Sequence, residues 1–194
     1  MNNEIKHTTE DLRHALIIAG IKEVELHGLT NFSLRRVASA CGVSCAAPYR
    51  HFKSKDDLIL AIISYINAQW SFLQNQIVEI YRADTKRLIV ELSLANIRFW
   101  IANPNFRSII MMDDKGLDAL QLREKSRISD EIKNLIHSYA AENGISEGGR
   151  DVASVTILAT IYGATQMLGS GELQNTSKNI NTIKRVIERA LEAE

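Results

Sequence analysis

Two prolines and ten glycines in 194 residues leave long stretches of this chain without a breaker, and that scarcity restricts the fold more than any other feature. An all-β protein needs turn residues at intervals of about 8 to 12 positions, which this chain does not supply. The apolar residues instead recur at three- and four-residue steps, the period of a helix that buries one side. With 45% hydrophobic residues the chain is rich enough to pack a core, and an all-α fold of about nine helices is expected.

Leu12, Ala15, Leu16, Ala19, Gly20 and Val24 mark an amphipathic first helix from about Thr9 to His27, closed by Gly28. After a break over residues 29–32, Ser33 is placed to cap a short second helix whose stripe is Leu34, Val37, Ala38 and Cys41, and Gly42 ends it. Ser44 then caps a third short helix through His51, which gives two helices joined by a tight glycine turn. Ser54 and Asp57 form a capping box for a long fourth helix through Leu58, Ile62, Ile66, Leu73 and Ile80. At about 1.5 Å per residue it reaches close to 40 Å, enough to connect two domains. Further helices follow around Leu88 to Ala102, Phe106 to Met112, 120–139, 152–168 and 180–191, with Asn103–Pro104 and Asn143–Gly144 as stops.

The formal net charge is zero, with 23 basic and 23 acidic residues, so overall charge points to neither nucleic acid nor membrane. Distribution is more informative. Residues 33–55 hold Arg35, Arg36, Arg50, Lys53 and Lys55 and no acidic residue, a basic patch hidden inside a neutral total. Cys41 and Cys45, the only cysteines, are too close in sequence to staple distant parts of a fold, which fits a reducing, cytoplasmic setting. The first residues are polar and partly acidic, unlike a secretory signal. Residues 152–171 are uncharged over a bilayer-like length, but Ser154, Thr156, Thr160, Thr165, Gln166 and Ser170 make a buried interface helix the better reading, and no membrane partner is expected.

The run from Leu16 to Leu58 resembles the DNA-binding domain of the TetR family of transcriptional regulators. The resemblance rests on Gly28, the Ser33–Leu34 helix start, the Val37–Ala38 pair, Gly42-Val43-Ser44 at the turn, and Tyr49, His51, Phe52, Lys55 and Leu58 at fixed spacing. It covers about a quarter of the chain, and the remainder is similar only in its helical plan. Ala46 stands where a glycine is frequent and Pro48 where Leu or Phe is usual. Since Pro48 has no N–H to close a first turn on Ser44, an irregular start of the third helix is expected.

The resemblance implies a DNA-binding domain over residues 1–56 and a regulatory, ligand-binding and dimerisation domain over 57–194. It implies double-stranded operator DNA as partner, a homodimer, and a small-molecule effector, with repression relieved by a hydrophobic or aromatic ligand. An activator or nucleoid-type protein using the same module, and a helical ligand-binding or scaffold protein without operator binding, are the alternatives. The DNA-facing set is then Ser33, Arg35, Ser44, Cys45, Ala46, Tyr49, Arg50, His51 and Lys55. Arg35 and Arg50 are the candidates for two hydrogen bonds to a guanine edge, and Tyr49, His51 and Lys55 for phosphate. Val37, Ala38, Cys41, Val43, Phe52 and Leu58 are expected to be core.

Trp70, Phe99, Trp100, Phe106, Met111, Met112, Tyr162 and Met167 are the candidate pocket residues, because aromatic and thioether groups line adaptable apolar cavities. Val155, Ala159, Tyr162, Gly163, Gln166, Ile180, Ile183 and Ile187 are the candidate dimer interface, where small Ala159 and Gly163 would allow close helix approach. Cys45 beside basic residues at a helix start is a candidate redox-sensitive thiol. The spacing of Cys41, Cys45 and nearby histidines matches no familiar zinc site, so no metal is expected. No catalytic motif is present, Asp113 and Asp114 read as a cap or turn, and the chain is expected to be neither an enzyme nor a cofactor carrier.

Overall fold

The computed structural model describes residues 9–111 and 116–192. Met112, Asp113 and Asp114, named above, lie outside the described residues. The described residues form eight α-helices and one short 3-10 helix: α1 Thr9–His27, α2 Leu34–Ala40, the 3-10 turn Pro48–Arg50, α3 Lys55–Tyr81, α4 Thr85–Ala102, α5 Pro104–Ile110, α6 Ala119–Glu142, α7 Glu147–Ser170 and α8 Ser177–Ala190. The all-helical expectation is met, with one amendment. The third expected helix is not α-helical, because Ala47 N–H takes the Ser44 carbonyl (2.9 Å) and Pro48, lacking an N–H, cannot propagate an α turn.

Capping chemistry sets the helix ends. Gly28 and Gly144 both have φ near +70°, a conformation costly for residues with a Cβ, and they stop α1 and α6. Ser54 Oγ accepts from Asp57 N–H (3.1 Å) while Asp57 Oδ2 accepts from Lys53 N–H (2.8 Å), which fixes the start of α3. α7 begins earlier than the apolar pattern suggests, since Ser146 Oγ accepts from Gly149 N–H (3.0 Å) and Arg150 pairs with Glu147. These contacts offset the low helix propensity of Gly148 and Gly149.

The packing divides into two compact units. The first comprises residues up to Asn67 together with 105–125; the second comprises 68–104 and 126–194. In the first unit, Leu16, Ile17, Ile21 and Val24 of α1, Val37 and Ala38 of α2, Phe52, and Leu58, Ile59, Ile62 and Ile63 of α3 are all buried. Gly20 lets α1 and α3 approach closely: a Cβ there would sit 2.7 Å from Ile62 Cδ1. The start of α6 is held in this unit by the buried Gln121, whose amide donates to the Asp56 carbonyl (2.9 Å).

In the second unit α4, α7 and α8 pack on one another around Ile89, Val90, Leu94, Ile97, Ile157, Ile161, Ile183 and Ile187, joined by Ile132 and Ile136 of α6. Lys184 pairs with Glu91 (3.3 Å) and Lys86 with Glu192 (2.7 Å), tying α8 and its end to α4. α7 is long and apolar enough to cross a membrane by length and composition. Here its Ala153, Ile157, Ile161, Ala164 and Leu168 are buried within the unit.

Candidate nucleic-acid interface

The second helix and the segment that follows it are built as a rigid, outward-facing platform. Ser33, extended at φ −131°, caps α2, its Oγ accepting from Arg36 N–H. The Ser33 N–H in turn donates to Glu23 Oε1 (3.0 Å), a carboxylate that is 6% exposed at the end of α1. Arg36 closes the arrangement by donating to the same oxygen from Nε (2.9 Å) and from Nη2. One of the two adjacent arginines is thereby consumed by the fold, and Arg35 is left exposed.

Glu23 is the keystone of this corner. Burial alone would raise its pKa, but the hydrogen bonds from Arg36 and Ser33 N–H, with the charges of Arg36 and His27, outweigh burial and hold the carboxyl below the ordinary glutamate range. A carboxylate depressed in the folded state stabilises the protein above its unfolded pKa, and that stability is lost as pH falls through the folded value. Glu23→Ala is expected to cost about 1 to 3 kcal/mol at neutral pH, the penalty for leaving Ser33 N–H unpaired. Urea unfolding at neutral and acid pH checks it: the difference between wild type and variant should shrink on acidification, and a constant difference would contradict the assignment.

The turn after α2 closes as a Schellman motif. Val43 N–H donates to the Ala38 carbonyl and Gly42 N–H to the Ser39 carbonyl, each at 3.0 Å, with Gly42 at φ +68°. The chain then runs through a turn at residues 44–47 into the 3-10 helix. Arg50 N–H donates to Ala47 O (3.1 Å), His51 N–H to Pro48 O (3.0 Å) and Phe52 N–H to Pro48 O (2.9 Å). Pro48 and Phe52 are buried beneath this segment, and Arg13 of α1 lies 5.3 Å from the Phe52 ring centre. What remains outside is Ser44, Cys45, Ala46, Tyr49 at 60% exposure, and Arg50.

The sequence-derived DNA-facing residues thus separate into groups. Arg35, Ser44, Cys45, Ala46, Tyr49 and Arg50 are exposed, His51 is half-buried against Phe52, and Ser33 is engaged as a cap. Lys55 is not free in this structure: its Nζ donates to the Leu29 carbonyl (2.8 Å) and lies 5.9 Å from the Phe32 ring centre, bracing the 29–32 loop. The positive end of α3 is already answered by its own Asp57. Lys53, omitted from the set although it belongs to the basic patch, is exposed beside it. Cys45 begins no α-helix, and Cys41, half-buried, has its thiol pKa pushed up by burial. Among the expected core residues, Cys41 and Val43 are only partly buried.

In the second unit Trp70, Phe99 and Trp100 are buried and in ring contact. Phe106 belongs to the first unit, edge-on to Tyr65 at 6.0 Å, and Met111 is exposed. Tyr162 and Met167 are exposed on α7 rather than enclosed, on the outward side that also carries Val155, Ala159, Gly163 and Gln166. Of the candidate interface residues on α8, Ile183 and Ile187 are buried within this unit's core, at 7% and 0% exposure, because the apolar stripe of α8 turns toward α4 and α7; Ile180 is partly buried against the same core.

Residues 16–62 match the family model described as bacterial regulatory proteins, tetR family. No curated protein sequence matches the chain significantly. Solved structures match along nearly its whole length. The transcriptional regulator FadR of Bacillus subtilis, in complex with stearoyl-CoA, aligns at TM-score 0.68 and 14% identity, covering 91% of this chain and 98% of that one. A TetR family transcription regulator of Marinobacter aquaeolei VT8 aligns at 0.66 and 18%, covering 92% and 94%. The TetR family regulator PfmR of Thermus thermophilus aligns at 0.63 and 17%, covering 92% and 97%. At these identities the likeness is one of fold, and the sequence match is confined to residues 16–62. Residues 16–62 thus match the tetR-family model, and the fold of the chain is similar to that of solved TetR-family transcriptional regulators.

Proposed function

We propose that the protein is a cytoplasmic, homodimeric repressor that binds double-stranded operator DNA through residues 1–56 and is released when a small apolar or aromatic effector binds residues 57–194. The observation that carries this reading is the platform: Arg35, Ser44, Cys45, Ala46, Tyr49 and Arg50 stand exposed on a segment whose backbone is pinned by a Schellman turn, a buried proline and a buried phenylalanine. A preorganised backbone loses little freedom on binding, which favours recognition over a merely solvated basic face. The stearoyl-CoA complex of the Bacillus subtilis relative supports an effector with apolar character. A coupling of about 1 to 3 kcal/mol between effector and DNA would lower operator affinity about 5- to 150-fold.

The test is fluorescence anisotropy with DNA fragments flanking the protein's own coding sequence. Arg50→Ala is expected to weaken binding to the preferred fragment by about 1 to 3 kcal/mol and relax preference at one base position. Equal weakening on every fragment would reassign Arg50 to phosphate. Absence of binding by wild type to all fragments would favour a scaffold protein that has kept the fold alone.

A further inference from the structure

Four residues of the second unit form a connected cluster with a hydrogen-bonding remainder. Trp70 of α3 meets Phe99 edge-on at 5.5 Å between ring centres, and Phe99 meets Trp100 at 4.9 Å. Asn96, Phe99 and Trp100 are three and four residues apart on α4 and share a face. Asn96 Oδ1 accepts from Trp100 Nε1 at 2.7 Å. Two donors are then left over: the Trp70 indole N–H and the Asn96 amide nitrogen are buried without a hydrogen-bond partner. Both residues are almost wholly enclosed, at 1% and 2% exposure.

Native proteins keep few such groups, and each calls for an explanation. An indole N–H only donates, as does an amide nitrogen, so what would satisfy each is an acceptor such as a carbonyl oxygen. The charge of the acceptor is also constrained. The buried polar residues of this unit are Ser93, Asn96, Ser154 and Thr165, so among the described residues no buried cation stands ready to neutralise a carboxylate. Burying an unpaired carboxylate costs far more than burying a neutral carbonyl.

We propose that Trp70 and Asn96 form the polar end of the effector site and select an aromatic ligand carrying a neutral acceptor oxygen, such as an aryl ketone, ester or amide. The proposal rests on the reading of residues 57–194 as an effector domain. It adds the chemistry of recognition: the rings supply the apolar surface, and the two donors decide which apolar molecules are accepted. Asn96 is also held for this task by its neighbour, since the bond from Trp100 fixes the amide with its nitrogen turned away from that ring.

The chain has two tryptophans, Trp70 and Trp100, so the indole-¹⁵N-labelled full-length protein gives two indole N–H signals, which Trp70→Phe assigns. Acetophenone, isopropylbenzene and benzoate are titrated in turn: nearly one shape, with a neutral carbonyl, no oxygen, and a charged carboxylate. Acetophenone is expected to shift the Trp70 signal saturably and to bind about tenfold more tightly than either of the others, the worth of about one hydrogen bond. Asn96→Leu should reduce its advantage over isopropylbenzene. A Trp70 signal that stays still, or equal binding of acetophenone and isopropylbenzene, would overturn the proposal, and both are read on the wild-type protein. Benzoate binding as tightly as acetophenone would overturn the claim of neutrality. These samples contain no DNA, so the site stands or falls on the indole signal, while operator binding by the same protein decides the regulator reading separately.

Discussion

In the proposed homodimer, Ala159→Arg is expected to leave the fold intact, give a monomer, and weaken operator binding about 10²- to 10⁴-fold, because two linked half-site contacts become one. The argument begins with α7. Val152, Val155, Ala159, Tyr162, Gly163 and Gln166 recur at helical spacing along its outer side, and Val155 is 69% exposed and Tyr162 43% exposed in the single chain. An apolar stripe of this kind, with two small residues at its centre, fits a second helix approaching closely across a two-fold axis. The opposite face of the same helix is already buried in the subunit, so an arginine on the outside perturbs association without opening the core. Sedimentation velocity and circular dichroism check the result. A variant that stays dimeric would move the interface elsewhere.

The second large effect concerns the proposed DNA-facing platform. Phe52→Ala is expected to destabilise the first unit by about 3 to 5 kcal/mol, as large-to-small changes at fully buried aromatic positions do. Phe52 is 1% exposed, its N–H donates to the Pro48 carbonyl just after the 3-10 helix, and Arg13 of α1 lies against its ring. Removing the ring undoes the anchor that keeps Tyr49 and Arg50 outside. Operator binding should fall with it, although Phe52 itself is enclosed. Urea unfolding monitored by circular dichroism gives the energy; a loss below about 1 kcal/mol would mean that the turn is held by its backbone bonds alone.

Much of this was legible in the chain because it depends on local chemistry. Gly28 after His27, Ser33 before Leu34, Gly42 after Cys41 and the Ser54–Asp57 box are short-range signals, and the structure uses each of them. Pro48 was readable as a disturbance but not for its extent: it converts the expected third helix into a turn and a single 3-10 stretch. The start of α7 was hidden because Gly148 and Gly149 look like breakers until the Ser146 cap and the Arg150 pair are seen.

What could not be read is whatever depends on partners remote in sequence. Nothing local distinguishes Arg35 from Arg36; only Glu23, on another helix, commits Arg36 to the fold and leaves Arg35 outside. Lys55 looks like a free cation until the Leu29 carbonyl is found beside it. The stripe of α8 announces that Ile183 and Ile187 are buried without saying by what, and in the structure they join the core of α4 and α7. The leftover donors of Trp70 and Asn96 emerge only once every other bond in the cluster has been assigned.

The most direct test of the central claim is the salt dependence of DNA binding by the full-length protein, read by fluorescence anisotropy on its preferred flanking fragment and on a scrambled fragment of equal length. The proposed platform predicts tight binding to the first, with log K falling steeply and linearly against log salt, by about 0.9 for each phosphate contacted, and much weaker binding to the second. Binding that ignores salt, or that does not distinguish the two fragments, would contradict an operator-specific regulator built on residues 44–51.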